Sequence, residues 1–428
     1  MNTSNSTIPF TEYDLPNGLH VILSPSKVQP IVSVNLWYHV GSKDEDPTRT
    51  GFAHLFEHLM FEGSANVKKT EHFKYIQNAG GTLNATTSFD RTNYFETLPA
   101  DKLELALWLE SDRMLALDVS IENFENQRAV VKEERRQRYD NKPYGTIFET
   151  ILHHLYPTSG YHWATIGSMK HLDETTIEEV QAFHKKWYVP NNASLTICGD
   201  FDNDDAKILI EKYFGNIPKG ASPTRPQQIV TPLQSKIAIS HEDSISLPAV
   251  TIAFQTAHVF SDDDYTLELL SNILSSGRSS RLYKNLVYEK QLAKNASCYT
   301  ITLEKSGGFF ISCVAQSGVS PEKLEEAIWI ELKKIQKDGV TEAELEKAKN
   351  RNIMERARSL QHLARRADTL QQAYAYTKRT EMANEELKRL LEVKTSDIHA
   401  VAAKFLDSAQ SVVLYTTPKG NKTYTSGE

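Results

Sequence analysis

Hydrophobic and polar residues follow the same order of periods in both halves of this chain of 428 residues. In the first half, a period of two predicts strands within residues 10–24, with Asn17-Gly18 as the hairpin turn, and at residues 31–40. A helical period follows at residues 51–61, and the next helix is predicted to end at Gly80-Gly81. The later elements of this half are strands at residues 82–88, 92–98 and 193–198, with several helices between residues 102 and 188.

The second half repeats this order of elements. Alternation predicts five strands here, and helices follow the second and fourth of them. Each half is therefore predicted to be α+β, with helices covering a mostly antiparallel sheet. The predicted strands of the second half are residues 236–240, 249–255, 296–303, 308–315 and 411–416.

Two helices favour a single register for the two halves. Residues 100–110 and 321–331 carry Lys, Leu, Glu, Ala, Trp and Glu in the same places, at an offset of 321 − 100 = 221 residues. The same offset relates Ser120 to Thr341, and a hydroxyl residue suits the start of the next helix in each half. We therefore expect two homologous domains, joined by a linker rich in Pro, Gly and polar residues. Their predicted bounds are 8–217 for the first domain, 218–234 for the linker and 235–420 for the second domain.

Composition and charge exclude several classes of partner. The net charge is −7 and the isoelectric point is near 6.1, so no general attraction to nucleic acid is expected. No stretch reaches the roughly 18 apolar residues of a membrane span. The polar beginning lacks the features of a secretory signal, and the three cysteines have no paired spacing. We expect a cytoplasmic protein, or a periplasmic one if a signal peptide has been removed.

The candidate chemistry lies in His54-Leu55-Phe56-Glu57-His58, inside the apolar run of residues 51–61. In a helix, residues three and four apart share a face, so His54, Glu57 and His58 are predicted to lie together. Two imidazoles and a carboxylate can hold a zinc ion and a water. At the repeat offset of 221 residues, the corresponding positions of the second half are Ser275, Arg278 and Ser279. The second half contains no H-x-x-E-H motif, so one zinc ion per chain is expected.

A hydrolytic zinc site takes a third protein ligand and leaves one position for water. The candidates are the adjacent residues Glu133 and Glu134, on a predicted helix within residues 127–138. Adjacent residues on a helix point about 100° apart, so only one of the two can face the histidines.

The H-x-x-E-H motif with Glu134, 134 − 58 = 76 residues after it, resembles the inverted zincins, the family of pitrilysin, insulin-degrading enzyme and the mitochondrial processing peptidase. The resemblance implies a half-clamshell of two domains, zinc ligands His54, His58 and Glu134, and Glu57 as general base. Glu133 is the alternative third ligand. The family places an acid where this chain has Gln127. Supporting segments are residues 80–87, 130–135, 140–145 and 274–282.

Substrate binding is expected at residues 81–87, where small and β-branched residues follow a double glycine. The resemblance implies that a peptide substrate adds to this strand as a further β-strand, with Asn84 and Ala85 as its contacts. The alternative is that these two residues serve only the sheet.

The second half departs from the family at two positions. Val287 and Lys294 stand where family members that complete their own active site carry an Arg and a Tyr. A valine cannot donate a hydrogen bond to an oxyanion. We therefore expect a heterodimer in which a related subunit supplies the Arg/Tyr pair. The alternatives are a homodimer, and compensation by Tyr288, which is one residue out of register.

Three functions compete at this point. The leading interpretation is a zinc-dependent metalloendopeptidase that cleaves peptides with a zinc-activated water. The alternative is a non-catalytic assembly subunit that keeps the fold, although such subunits usually lose the ligands that are all present here. A purely structural zinc site is the third, but such sites favour four cysteine-rich ligands, and Glu57 would then have no role.

Overall fold

The computed structural model describes residues 7–420, and these residues form two compact units. The first unit contains the described chain up to Arg135, together with Trp163–Gln227 and Glu355–Asn384. The second contains Arg136–His162, Gln228–Met354 and the described chain from Glu385 onward. Each unit therefore includes a segment from the other half of the sequence.

The first unit is built on one sheet, which has six strands within the described chain. The strands lie in the order β1-β2-β6-β3-β5-β4, and neighbours are antiparallel except for the parallel pair β2 and β6. β4 is an edge strand. The strands are β1 (Thr11–Asp14), β2 (His20–Pro25), β3 (Ile31–Tyr38), β4 (Thr82–Thr87), β5 (Thr92–Pro99) and β6 (Ala193–Gly199).

The second unit is built on a sheet of five strands in the described residues, in the order β7-β11-β8-β10-β9. Only β7 and β11 run parallel. This order is the same as that of β2-β6-β3-β5-β4, so the predicted repeat and the predicted mostly antiparallel α+β architecture are confirmed. The strands are β7 (Ile237–Asp243), β8 (Ala249–Thr256), β9 (Ala293–Thr302), β10 (Gly307–Ala315) and β11 (Ser411–Pro418).

Helices surround both sheets, and the predicted caps are present. Ser120 Oγ accepts a hydrogen bond from Asn123 N at 3.4 Å, and Thr341 Oγ1 accepts one from Glu344 N at 3.2 Å. In chain order the helices are α1 (Phe52–Leu59), α2 (Glu71–Asn78), α3 (Leu103–Ala116), α4 (Ile121–Arg135), α5 (Ile147–Leu155), α6 (Met169–Glu174), α7 (Ile177–Trp187), α8 (Asn203–Phe214), α9 (Asp262–Ser275), α10 (Pro321–Asp338), α11 (Glu342–Ser359), α12 (Leu363–Thr377), α13 (Met382–Glu392) and α14 (Thr395–Phe405).

Helices α5 and α12 lie in the unit whose sheet comes from the other half of the sequence. α12 packs on β3 and β6 of the first unit, and α5 packs on β8 and β11 of the second. The domain bounds 8–217 and 235–420 remain a prediction about the sequence repeat, because the compact units divide the chain differently. The chain between Phe214 and Ile237 forms no helix or strand.

A buried glutamine secures α12 to the first sheet. Gln371 is fully buried and donates to the carbonyl oxygens of Asn35 and Ser194 at 2.9 and 2.8 Å. It also accepts a hydrogen bond from Ser194 Oγ at 2.6 Å. Apolar side chains of α12 such as Leu370 are buried around it. The amide thus makes hydrogen bonds to the sheet backbone that a purely apolar helix could not make.

Two other predictions concern the ends and the cysteines. The polar beginning on which the localisation prediction depends lies mostly outside the described residues. Cys198, Cys298 and Cys313 are buried and form no disulfide. Within the described chain, no helix offers an apolar stretch long enough for a bilayer.

Replacing Gln371 with Leu should lower the free energy of unfolding by about 2 to 4 kcal/mol, because three buried hydrogen bonds between α12 and the sheet are lost. Denaturant unfolding of the full chain measures this change. Gln372→Leu is the matched control, since the neighbouring side chain is partly exposed. Equal effects of the two substitutions would contradict the assigned role of Gln371.

Candidate metal centre

Helix α1 presents its two histidines and Glu57 on a different side from Phe56. Phe56 packs against Phe183 and Tyr188, with ring centroids 5.4 and 5.1 Å away. The helix begins after Gly51, whose φ of 100° is readily adopted by glycine. With Phe56 anchored on that side, His54, Glu57 and His58 are left on the side of α4 and β4, on which α1 also packs.

Helix α4 brings a carboxylate to these histidines. Glu134 Oε2 lies 3.3 Å from His58 Nε2 and 3.7 Å from His54 Nε2. His54 is buried, while His58 and Glu134 are partly exposed. Their three candidate ligand atoms all lie within 4.8 Å of one another. Two imidazole nitrogens and one carboxylate oxygen, open on one side to solvent, fit the donor set of a catalytic zinc site.

The structure separates the two candidate carboxylates on α4. Glu134 faces the histidines, whereas the side chain of Glu133 is exposed. Gln127, two turns earlier, donates from Nε2 to Glu62 Oε1 at 2.7 Å. Glu62 also pairs with Lys69. The amide at position 127 therefore serves as a hydrogen-bond donor to a buried carboxylate, which an acid could do only when protonated.

Glu57 is oriented by the end of the edge strand. Thr87 Oγ1 donates to Glu57 Oε2 at 2.6 Å. Burial raises the pKa of Glu57, while the bond from Thr87 and the nearby His58 and Arg91 act in the opposite direction. The hydrogen bond engages one carboxylate oxygen and directs the group, so Thr87 is a contact that the sequence pattern did not identify. Its only signal was its place in the run of residues 81–87.

The two predicted substrate contacts lie on β4. Asn84 is exposed and Ala85 is buried, and within the described strands β4 pairs with β5 only. The backbone N–H of Ala85 donates to Asn84 Oδ1 at 2.9 Å. The edge is therefore open to a further strand, although a strand that used this N–H would displace the Asn84 side chain.

The corresponding positions of the second unit have structural contacts. Ser275 Oγ donates to the carbonyl of Cys298 at 3.0 Å and accepts from its N–H at 2.8 Å, which secures the end of α9 to β9. Val287 lies in a π-helical segment, Tyr283–Glu289, and Lys294 is exposed on β9. The side chain of Tyr288 is 74% exposed.

A second group of potential metal ligands within residues 7–420 is His72, Glu96 and Glu110, all buried. Arg113, also buried, donates from Nε to Glu110 Oε2 at 3.0 Å and from Nη2 to Glu110 Oε1. Burial and the adjacent Glu110 raise the pKa of Glu96 well above its usual range, so Glu96 keeps a proton and hydrogen-bonds to Glu110. Burial lowers the pKa of His72, which stays neutral. The guanidinium and one shared proton balance this group without a metal ion.

Comparison with known proteins places the chain in a family. A family model described as insulinase, peptidase family M16, matches residues 20–166, and one described as the peptidase M16 inactive domain matches residues 174–352. The chain is 30% identical over 410 residues to the zinc protease PqqE of Helicobacter pylori, an alignment that covers 94% of this chain and 92% of that protein. The chain belongs to peptidase family M16.

Solved M16-like structures have the same fold. The crystal structure of a protease from Helicobacter pylori superposes with a TM-score of 0.92 at 28% identity, covering 96% of this chain and 100% of the other. The periplasmic protease PqqL of Escherichia coli superposes with a TM-score of 0.79 at 17% identity. That match covers 96% of this chain and 48% of PqqL, so this M16 chain spans about half the length of PqqL.

The candidate metal ligands and the candidate base lie within the residues matched by only one of the two family models. His54, Glu57, His58 and Glu134 all lie within the residues matched by the insulinase model. The second model, described as an inactive domain, covers the region of Ser275. This M16 chain is therefore a homologue of zinc proteases, and its candidate metal centre lies in the half that matches the peptidase model.

The buried carboxyl pair gives a test that is separate from the metal. Glu110→Gln should lower the free energy of unfolding by about 3 to 5 kcal/mol, because Arg113 loses its ionised partner. Glu96→Gln should cost no more than about 1 kcal/mol at pH 7, because an amide also donates to Glu110.

Denaturant unfolding at several pH values checks this assignment. The stability that Glu96 contributes should be present below its unfolded-state pKa near 4.5 and be lost as the pH rises toward the higher folded-state pKa. Glu96→Gln should remove that part of the pH dependence. A larger loss of stability in Glu96→Gln than in Glu110→Gln would show that the proton assignment is wrong.

Proposed function

We propose that this chain is a zinc-dependent metalloendopeptidase that binds one zinc ion through His54, His58 and Glu134 and uses Glu57 as its general base. The observation that carries the proposal is the approach of Glu134 Oε2 to both imidazoles, at 3.3 and 3.7 Å. Membership of a family whose members are named zinc proteases supports the choice of metal.

A bound zinc ion would supply the positive charge that acidifies a water and polarises a peptide carbonyl. The protein's part is to hold a proton acceptor beside that position. Thr87 orients the Glu57 carboxylate through Oε2, so the other oxygen is directed for proton transfer. Glu57 takes a proton from the attacking water and passes it to the leaving amine.

The peptide substrate would add to the open edge of β4. Strand addition recognises main-chain groups, so it gives weak selectivity for side chains. Asn84 would exchange its hydrogen bond with the Ala85 N–H for one with the peptide. Because Thr87 ends the same strand, a peptide aligned there would pass the general base.

The chain would act as the zinc-bearing subunit of a heterodimer. Val287 and Lys294 offer no Arg/Tyr pair, and the length of this chain is about half that of PqqL. A related subunit that carries both residues would supply the donors that stabilise the oxyanion. In a homodimer the exposed Tyr288 would have to fill this role.

Glu57→Gln should retain zinc and lower peptide hydrolysis by about 10²- to 10⁴-fold, because the amide cannot accept a proton. Metal analysis and hydrolysis of a quenched fluorescent peptide measure the two properties. Glu122→Gln, an exposed acid on α4, is the matched control and should keep full activity. Unchanged activity in Glu57→Gln would refute the role of Glu57 as general base. A wild-type chain that binds zinc but cleaves no peptide, even with its partner subunit, would favour the non-catalytic assembly subunit.

The isolated chain should hydrolyse peptides slowly, and an equimolar related half-length subunit with Arg and Tyr at the positions of Val287 and Lys294 should raise kcat by about 10²-fold or more, because oxyanion donors contribute on that scale. Activity assays with a titration of the partner measure this. The matched control is the same partner with both residues replaced by Val and Lys. Full activity of the isolated chain would rule out the heterodimer.

A further inference from the structure

The two ligand-bearing helices of the candidate metal centre contact the same short stretch of chain. α1 carries His54 and His58, and α4 ends at Arg135, directly after Glu134. The first turn of α1 and the last turn of α4 both lie against residues Trp163–Gly167, which we call the bracing segment. All of these residues belong to the first unit.

On the α1 side, Glu45 connects the start of the helix to the bracing segment. Its Oε1 accepts from Ala53 N at 2.8 Å, and its Oε2 accepts from Gly51 N at 2.9 Å. Trp163 Nε1 donates to the same Oε2 at 2.9 Å. The N–H groups at the start of a helix have no carbonyl acceptor within the same helix. Gly51, the residue before α1, has no side chain that could accept from them.

Glu45 is suited to this position because its two side-chain oxygens can accept several hydrogen bonds from the N–H groups of a helix N-terminus. Glu45 is only 3% exposed. Burial raises the pKa of Glu45 to about 8, and the three donors act in the opposite direction. Together these bonds fix the start of α1 within one turn of His54.

On the α4 side, Arg135 connects the helix to the far end of the bracing segment. Its Nη1 donates to the carbonyl oxygen of Gly167 at 2.5 Å, and the side chain is buried. Gly167 in turn lies directly against Gly51, and a Cβ on Gly167 would overlap Gly51. With a φ of 72°, Gly167 is also in the region that favours glycine.

The residues that follow the bracing segment also bond to Thr50, just before Gly51 at the start of α1. Ser168 N, next in the chain, donates to Thr50 Oγ1 at 3.1 Å. Thr50 N donates to His171 Nδ1 at 3.2 Å. The start of α1 is thus held by Glu45 and by Ser168 and His171, which follow closely on the Gly167 that Arg135 holds from α4.

We infer that the bracing segment sets the spacing between the two ligand-bearing helices, and that Glu45 and Arg135 are positioning residues for the metal centre. The inference rests on the proposed zinc site. Zinc requires its nitrogen and oxygen ligands within about 0.2 Å of preferred distances, so a small shift of α1 against α4 weakens binding.

The test is the zinc affinity of the full chain, measured in competition with a chromophoric chelator. Glu45→Gln replaces one acceptor oxygen with an amide, and Arg135→Gln removes the bond to Gly167. Each should weaken zinc binding by about 10-fold or more, the scale on which outer contacts of metal ligands act. In the double variant, zinc affinity should fall by less than the product of the two single fold-losses, because both residues act through the same segment.

Trp163→Phe provides a milder change that keeps the ring and removes one N–H. It should also weaken zinc binding. If Glu45→Gln does not fold, Trp163→Phe tests the same contact in its place. Gly167→Ala should also weaken zinc binding. Its matched control is Gly277→Ala, where φ is 83° and a Cβ meets no atom within 4 Å, so zinc affinity should not change.

The melting temperature of the zinc-free protein separates positioning from general loss of stability. We expect the zinc affinity of Trp163→Phe to fall even when its zinc-free melting temperature stays close to that of wild type. Variants that fold and bind zinc within twofold of wild type would overturn the inference. A wild-type chain that does not bind zinc, or a His58→Ala variant that binds it equally well, would instead overturn the proposed function.

Discussion

The approach of one carboxylate to two imidazoles is the constraint on which the rest of this structure depends. Glu134 lies 76 residues beyond His58, so no local pattern can bring them together. α1 must pack on α7 through Phe56 so that its other side faces α4, and Thr87 must end β4 beside Glu57. The site is therefore a property of the packed first unit and not of the motif helix alone.

The repeated architecture shows how one fold can carry chemistry in one unit and only structural contacts in the other. Both sheets share one strand order, yet Ser275, at the position that the repeat relates to His54, is used to secure α9 to β9. The reciprocal placement of α5 and α12 means that neither half of the sequence contains every helix of its own unit. Gln371 shows the consequence, because buried carbonyl groups of β3 and β6 accept hydrogen bonds from a residue of the second half.

Elements with a strong local signal could be predicted from the sequence. Alternation located the strands to within a few residues, and hydroxyl residues such as Ser120 identified helix starts. The exchange of α5 and α12 could not be predicted, because an amphipathic helix packs equally well on either of two similar sheets. The residue pattern also left Glu133 and Glu134 open, since adjacent positions differ only in direction, and the packed structure shows that Glu134 faces the histidines.

The remaining buried polar residues had only weak signals in the sequence pattern. Glu96 occupies an inward position of β5 between the buried residues Tyr94 and Leu98, which indicates a buried acid but does not name its partners. The spacing of Glu110 and Arg113 indicates a helical ion pair and does not show that Glu96 joins it. Glu45 and Arg135 had no signal, because most of their partners are backbone groups, the N–H groups of Gly51 and Ala53 for Glu45 and the carbonyl of Gly167 for Arg135.

The most direct test of the central claim is the zinc stoichiometry of the full chain after stripping with a chelator and titration with zinc. Glu134→Gln should abolish the high-affinity site of one ion per chain, because the third ligand loses its charge. Glu133→Gln, on the adjacent exposed residue, should keep it. Retention of the site in Glu134→Gln, or its loss in Glu133→Gln alone, would contradict the metal centre described by the geometry of His54, His58 and Glu134.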